Sequence, residues 1–189
     1  MTLRLSIRPG FVAVLCGLLL LDRALPWLLL TTAAVHELGH LLALQCLGVP
    51  SAALELSAAG GVIDCAPLPR KALAVTALAG PLANLLWAGL ILRPAPTAAL
   101  MSLSMAAFNL LPIPPLDGGT ALQALASSRV IPPVAAVTAG ALLALAFAAR
   151  QSLGLWPLLL CLWILCRAAG EWLAARHKTL AQPPVGMVS

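Results

Sequence analysis

The chain is poor in charged residues. Asp, Glu, Lys and Arg make up 9% of its 189 residues, whereas soluble domains carry about 25%. A solvated surface needs far more charge, so the composition excludes a soluble globular enzyme and a disordered chain. Hydrophobic residues make up 61% of the chain, and the mean hydropathy is +1.01. These values predict an α-helical polytopic membrane protein.

A concentrated basic patch is also lacking. The net charge is +5, but the Lys and Arg residues stand singly or in pairs at the ends of apolar runs. Membrane spans are flanked in this way, whereas nucleic-acid-binding surfaces concentrate their basic residues. We therefore expect a lipid bilayer around the protein and no nucleic-acid partner.

The apolar residues are grouped in long runs. A transmembrane helix needs about 20 apolar residues, and several of the runs are shorter, which implies tilt or local thinning of the bilayer. We expect one domain over residues 1–175 and a polar tail over 176–189. The breaks between the runs predict about six spans, at 9–21, 24–46, 71–92, 95–112, 130–149 and 153–170.

The basic residues predict how the spans are oriented. If the N-terminus is cytoplasmic, eight Lys and Arg residues lie inside and three lie outside, in agreement with the positive-inside rule. We therefore expect a multi-pass protein of the cell membrane with both termini in the cytoplasm. The inner residues are Arg4, Arg8, Arg70, Lys71, Arg129, Arg167, Arg176 and Lys178, and the outer ones are Arg23, Arg93 and Arg150.

Two segments between the spans predict structure of their own. Residues 51–66 form two short extended runs around Gly60-Gly61, which suits a small membrane-associated β-hairpin between the second and third spans. Residues 109–119, NLLPIPPLDGG, contain three prolines and two glycines, which forbid a continuous helix. Broken backbone within a membrane must be surrounded by protein or line a cavity.

The second span contains three ionisable residues within five positions. His36, Glu37 and His40 spell His-Glu-Leu-Gly-His, and ionisable groups in a span are functional candidates because they are costly there. On a helix, His36 and His40 lie one turn apart and can bind one metal ion, while Glu37 lies close to the same face. This HExxH pattern predicts two metal ligands and a general base.

A catalytic zinc generally has three protein ligands and one open position. The chain has six Asp and Glu residues, of which five remain for the third ligand after Glu37. Asp117 is the best candidate, because it lies in the proline- and glycine-rich break at the cytoplasmic membrane edge. We predict that Asp22 lies on the opposite side, that Glu171 lies beyond the last span, and that Glu55 and Asp64 flank the hairpin.

Three motifs together resemble those of the site-2 protease family of intramembrane zinc metalloproteases. HELGH at 36–40 is similar to the family's HExxH, NLLPIPPLDGG at 109–119 to its Asn-x-x-Pro…Leu-Asp-Gly motif, and AGPLANLL at 79–86 to its Gly-Pro-x-x-Asn helix. The closest resemblance is to the compact six-span branch related to the sporulation protease that processes a pro-sigma factor.

The resemblance implies roles for individual residues. It makes His36, His40 and Asp117 the ligands of one zinc ion and Glu37 the general base. It also implies that Asn84 hydrogen-bonds the substrate backbone or the developing oxyanion, and that Asn109 orders the proline-rich turn. The alternative for both asparagines is that they only tie helices together.

The function expected from the motifs and the resemblance is an intramembrane zinc metalloendopeptidase. Its substrate would be a transmembrane or membrane-associated protein, cut toward the cytoplasmic side, and a regulatory membrane partner or a homo-oligomer would fit the family. Two alternatives remain open. One is a helical protein that transports or senses metal, and the other is a membrane scaffold without catalysis.

Overall fold

The computed structural model describes residues 2–21, 23–58, 60–126, 130–148, 161–162, 165–166 and 170. The described residues between 2 and 148 form six helices and a three-stranded sheet. In chain order they are β1 (Thr2–Ile7), α1 (Pro9–Leu21), α2 (Leu25–Cys46), β2 (Ser51–Ser57), β3 (Gly60–Cys65), α3 (Arg70–Ile91), α4 (Pro96–Asn109), α5 (Asp117–Leu125) and α6 (Ile131–Ala148).

Among the described residues, three helices are long and apolar enough to cross a membrane. These are α2 and α3, with 22 residues each, and α6, with 18. A 22-residue helix is about 33 Å long, which matches the hydrocarbon core of a bilayer. The structure therefore supports a membrane protein but does not confirm six spans, since α1 has 13 residues and α4 has 14.

Part of the predicted organisation lies outside the described residues. The sixth predicted span, 153–170, is described at five positions only, and the polar tail, 176–189, is not described. The residues that are not described also include Asp22, Arg129, Arg150, Arg167 and Glu171. The predicted boundary at residue 175 therefore stays a prediction.

The proline-rich break after the fourth predicted span is confirmed. The span was expected to reach residue 112, but α4 ends at Asn109, because Pro112, Pro114 and Pro115 cannot continue its hydrogen-bond ladder. A new helix, α5, begins at Asp117. Seven non-helical residues thus separate two helices and allow the chain to turn back toward α3.

The predicted β-hairpin is confirmed, and a third strand joins it. Strands β2 and β3 pair antiparallel in the register Leu54↔Ile63, and Gly60 in the turn has φ +111°, a conformation that favours glycine. Strand β1 pairs parallel with β2, so that the strand order is β1-β2-β3. Residues 2–7 were interpreted only as the basic flank of the first span, and this strand was not predicted.

The sheet lies at the C-terminal end of α2. Its central strand turns Ala52 and Leu54 into the protein, where they are 4% and 8% exposed. Ala52 forms a core with Leu44 of α2 and Val49 of the following turn, and Ile63 of β3 packs against this core. The alternation of buried and exposed residues along β2 thus seals one face of the sheet against the helix end.

Helices α2 and α3 pack closely through small residues. The buried residues of α3 include Ala74, Ala77, Gly80 and Ala88. A Cβ atom at Gly39 of α2 would overlap the carbonyl oxygen of Ala79 in α3. In a bilayer, small residues let helix backbones approach and pack where no hydrophobic effect drives association.

We expect Gly39→Ala to destabilise the protein by about 1–3 kcal/mol, because the added methyl group would force α2 and α3 apart. Gly17→Ala is the matched control, since a Cβ atom at Gly17 meets nothing within 4 Å. Thermal unfolding in detergent micelles measures both. Equal melting temperatures for the two variants would contradict the close packing of α2 on α3.

Candidate metal centre

Helix α2 places the two histidines of the HExxH pattern one above the other. The exposed fractions of His36 and His40 are 5% and 8%, and their Nε2 atoms lie 3.2 Å apart. The rings meet edge to face, with centroids 4.8 Å apart. Both imidazoles therefore direct a ring nitrogen at one point, as the i, i+4 spacing predicted.

Helix α5 brings Asp117 to the same point. Its Oδ2 atom lies 3.0 Å from His36 Nε2 and 3.4 Å from His40 Nε2. Asp117 is the first residue of α5, and the next two residues are glycines packed against the 110–114 backbone. A Cβ atom at Gly118 would overlap Leu110, and one at Gly119 would overlap Ile113. The two glycines thus let the first turn of α5 fold back onto the proline-rich segment.

The three atoms fit a zinc ion. Ligands of a tetrahedral zinc at about 2.0–2.1 Å are about 3.3 Å from one another, and the three separations are 3.0, 3.2 and 3.4 Å. Asp117 Oδ2 is buried without a well-aligned hydrogen bond, which is costly unless a cation compensates it. His, His and Asp are also a donor set that zinc accepts.

Glu37 lies beside this group and faces a cavity of about 600 Å³. The cavity is also lined by His36, His40 and Asp117, and by residues 60–63 of the hairpin. A Cβ atom at Gly61 would overlap the Glu37 carboxylate, so strand β3 passes directly over the proposed base. Sequence reasoning predicted the carboxylate but not its contact with the hairpin.

The two asparagines occupy different surroundings. Asn109 lines the cavity, and one of its N–H groups donates to the Met105 carbonyl one turn earlier in α4, at 3.1 Å, rather than to the proline-rich turn. Asn84 is fully buried, does not line the cavity and lies 3.3 Å from His36 Nδ1 through its amide nitrogen. The structure therefore places Asn84 behind a proposed ligand and Asn109 on the wall of the cavity.

His40 is held from behind by helix α3. Its Nδ1 atom lies 2.7 Å from the carbonyl oxygen of Thr76, and its ring lies so close to Gly80 that a Cβ atom there would overlap it. Sequence reasoning missed this contact with Thr76, because the acceptor is a backbone carbonyl, which every residue type carries. The Gly-Pro pair at 80–81 was the available signal of close packing.

Arg70 was interpreted as a flanking charge, but the structure gives it a specific contact. Its guanidinium donates to the carbonyl oxygens of Gln123, Ala124 and Ala126, at 3.3, 2.9 and 3.1 Å. Gln123 and Ala124 belong to the last turn of α5 and Ala126 is its C-cap residue, and carbonyls at a helix end lack partners within the helix. Arg70 thus joins the first residue of α3 to the end of the helix that carries Asp117.

The other carboxylates of the described residues lie elsewhere. Glu55 forms an ion pair with Arg8 at 2.7 Å on the sheet, and the Glu55 carboxylate raises the pKa of Arg8. Asp64 lies on β3 with no part in the metal-type group. Within the described ranges, His36, His40 and Asp117 form the group of His, Cys, Asp or Glu residues close enough to hold a metal ion.

The fold and the site are those of a membrane protein with three residues between its helices that could hold a metal ion. Comparisons with known proteins then show what the chain is similar to. The model of peptidase family M50 matches residues 88–149, a range that includes Asn109 and Asp117 but not the HExxH segment. The site-2 protease from Methanocaldococcus jannaschii has the same fold, with a TM-score of 0.64 and 22% identity over 100% of this chain and 96% of that chain.

A curated zinc metalloprotease of Methanocaldococcus jannaschii is also similar, with 28% identity over 137 residues. These residues make up 63% of this chain and 40% of the relative, so the chain spans less than half of that protein's length. Together, the comparisons agree with the resemblance to the site-2 protease family that the three motifs carry. They also agree with the predicted class, a membrane zinc metalloprotease.

We expect Gly80→Ala to lower the affinity for zinc, because the added methyl group would displace the His40 ring. Gly89→Ala in the same helix is the control, since a Cβ atom there meets nothing within 4 Å. Titration against a competing zinc chelator in detergent measures both variants. Unchanged zinc affinity in Gly80→Ala would contradict the proposed role of His40 as a ligand held against α3.

Proposed function

We propose that the protein is an intramembrane zinc metalloendopeptidase that hydrolyses a peptide bond in a transmembrane or membrane-associated protein. The observation that carries the proposal is the convergence of His36, His40 and Asp117 at one point beside Glu37, on the wall of a cavity between helices. His40 lies about 9 Å and His36 about 15 Å from the C-terminal end of α2, so the site is within the span.

In this proposal, His36 Nε2, His40 Nε2 and one oxygen of Asp117 hold the metal. Bound zinc supplies Lewis-acid chemistry, which polarises a carbonyl group and acidifies water. Glu37 accepts the proton of the attacking water and delivers it to the leaving amine. Asn109 lines the cavity beside this group and is placed to hydrogen-bond the substrate backbone.

A helical substrate must unwind before it can be cut, because its carbonyl groups are bonded and shielded within the helix. Strand β3 offers a template for the extended form. The Thr2 N–H donates to Pro50 O and the Arg8 N–H to Leu56 O, both at 2.8 Å. In a parallel ladder, these two bonds mean that the backbone N–H and C=O groups of the even-numbered residues of β2 point toward β1. Those of the odd-numbered residues point toward β3.

The register of the hairpin then identifies the groups on the other edge of β3. Val62 and Asp64 oppose odd-numbered residues of β2, so their backbone groups bond within the sheet. The N–H and C=O groups of Gly61, Ile63 and Cys65 consequently point away from β2. No strand of the described chain occupies that edge, which lines the cavity and suits strand addition.

The proposed orientation directs the sheet end of the molecule to the cytoplasm. The sheet joins the C-terminal end of α2 to the N-terminal end of α3, so residues around both ends lie on one side of the membrane. That side has more basic residues, as the positive-inside rule requires. Among the described residues, Arg4, Arg8, Arg70 and Lys71 lie at this end. At the opposite end, Arg23 precedes α2 and Arg93 follows α3.

The alternative functions have less support. A transporter should show a second group of ligands marking a path across the bilayer, and the described residues hold one group. A scaffold without catalysis has no need of a carboxylate at Glu37, at the wall of the cavity next to the metal group. We therefore propose neither.

We expect Glu37→Gln to keep bound zinc and to lose about 10²–10⁴-fold in cleavage, because the amide cannot accept the proton of water. Asp117→Asn should reduce both zinc content and cleavage, since it weakens a ligand. The measurement compares new protein N-termini in membranes of cells expressing each variant at equal levels, together with the zinc content of the purified proteins. Equal cleavage by wild type and Glu37→Gln would refute the proposed general base.

We expect Ile63→Pro to raise the apparent KM for a peptide substrate more than Ile63→Ala does. Proline removes an N–H group from the open edge of β3 without removing one from the β2 ladder, while alanine reports the loss of side-chain packing alone. Both variants should retain the zinc content of wild type. Identical KM values for the two variants would argue against strand addition at β3.

A further inference from the structure

Asn84 of α3 lies behind the metal centre, out of reach of the cavity. It is fully buried, and its amide nitrogen lies 3.3 Å from His36 Nδ1. Its backbone carbonyl accepts a hydrogen bond from Ser102 Oγ of α4 at 3.0 Å, which fixes the residue between two helices. The carboxamide oxygen is buried and has no hydrogen-bond partner among the described residues.

Metal binding by His36 requires the proton of its neutral ring to be on one particular nitrogen. Its Nε2 atom faces Asp117 Oδ2 and His40 Nε2, so this nitrogen must present a lone pair if it is to bind a metal ion. A neutral imidazole carries one proton, and a lone pair on Nε2 therefore requires the proton to be on Nδ1. The group that faces Nδ1 must then be a hydrogen-bond acceptor.

His40 meets the same requirement through the backbone. Its Nδ1 lies 2.7 Å from the Thr76 carbonyl oxygen, which can only accept a hydrogen bond. The proton of His40 is thus held on Nδ1, and the lone pair of Nε2 points at the centre. Among the described residues, the group that faces Nδ1 of His36 is the side-chain amide of Asn84 rather than a backbone carbonyl.

We propose that Asn84 is a positioning residue that selects the metal-binding tautomer of His36 by accepting the Nδ1–H proton with its carboxamide oxygen. The amide nitrogen and oxygen exchange places when the group turns by half a turn about Cβ–Cγ, and their order is set by hydrogen bonding. With the nitrogen toward His36, the ring proton would lie on Nε2 and block it. With the oxygen toward His36, the buried carboxamide oxygen of Asn84 accepts the Nδ1–H proton and so gains a hydrogen-bond donor.

The inference builds on the proposed zinc site, but it concerns the ring proton and metal affinity rather than peptide cleavage. Groups that hydrogen-bond metal-ligating histidines typically contribute 10–100-fold to metal affinity. Asn84→Leu, of similar size and without an acceptor, should therefore raise the zinc Kd by about 10–100-fold. Asn84→Asp supplies an acceptor at the same place and should stay within a few-fold of wild type.

The ring proton can be observed directly in the metal-free protein. The chain has three histidines, so long-range ¹H–¹⁵N correlation spectra of histidine-labelled protein in detergent are simple, and His177→Gln assigns the third signal. We expect wild type to hold the proton on Nδ1 of both His36 and His40. Asn84→Leu should move it to Nε2 in His36 and leave His40, which is bonded to a backbone carbonyl, unchanged.

Zinc affinity, measured by chelator competition, completes the test. Ser102→Ala is the control, since it removes a hydrogen bond to the Asn84 backbone but keeps the amide, and it should change neither the tautomer nor the affinity. If Asn84→Leu does not reach the folded fraction of wild type, Asn84→Ala takes its place.

Three results would overturn the proposal: an Nε2–H tautomer of His36 in wild type, equal zinc Kd values for wild type and the acceptor-free variant, or equal losses for Asn84→Asp and Asn84→Leu. The last would assign the effect to packing. Loss of cleavage in Glu37→Gln bears on the peptidase activity alone, so failure of the tautomer proposal and failure of the proposed function give different patterns.

Discussion

The close contact between α2 and α3 is the constraint on which the proposed metal centre depends. Gly39 meets the backbone of α3, and this proximity sets the Thr76 carbonyl behind His40 and the Asn84 amide behind His36. Neither partner could reach its imidazole across a helix pair separated by large side chains. Small residues at the crossing thus serve two purposes, since they provide packing in a lipid environment and orient the ligands.

The third proposed ligand reaches the centre by a different route. Asp117 begins a nine-residue helix whose first turn folds onto the proline-rich segment and whose last carbonyls accept hydrogen bonds from Arg70. A short helix is marginal by itself, so its position depends on contacts at both ends. The carboxylate is accordingly held by α3 through Arg70, just as the histidines are held by α3 through Thr76 and Asn84.

The features that could be predicted from the sequence are those that depend on the spacing of residues close together in the chain. The i, i+4 histidines, the proline-rich break and the Gly60-Gly61 turn depend on residues close in sequence, and each lies where the spacing indicated. Strand β1 was missed because its partner is some 50 residues away and because Arg4, which stands between Leu3 and Leu5, also fits a basic flank. The surroundings of Asn84 and Arg70 were missed because they depend on helix crossings and backbone carbonyls.

The proposed ligands are also spread widely along the chain. Two lie on α2 and the third follows the whole sheet, α3 and α4. An ion held by all three would close a long loop, and constraints on long loops remove more entropy from the unfolded chain than those on short ones. Metal binding would therefore act as a reversible cross-link between the two halves of the domain, so that resistance to unfolding rises with free zinc concentration as well as with helix packing.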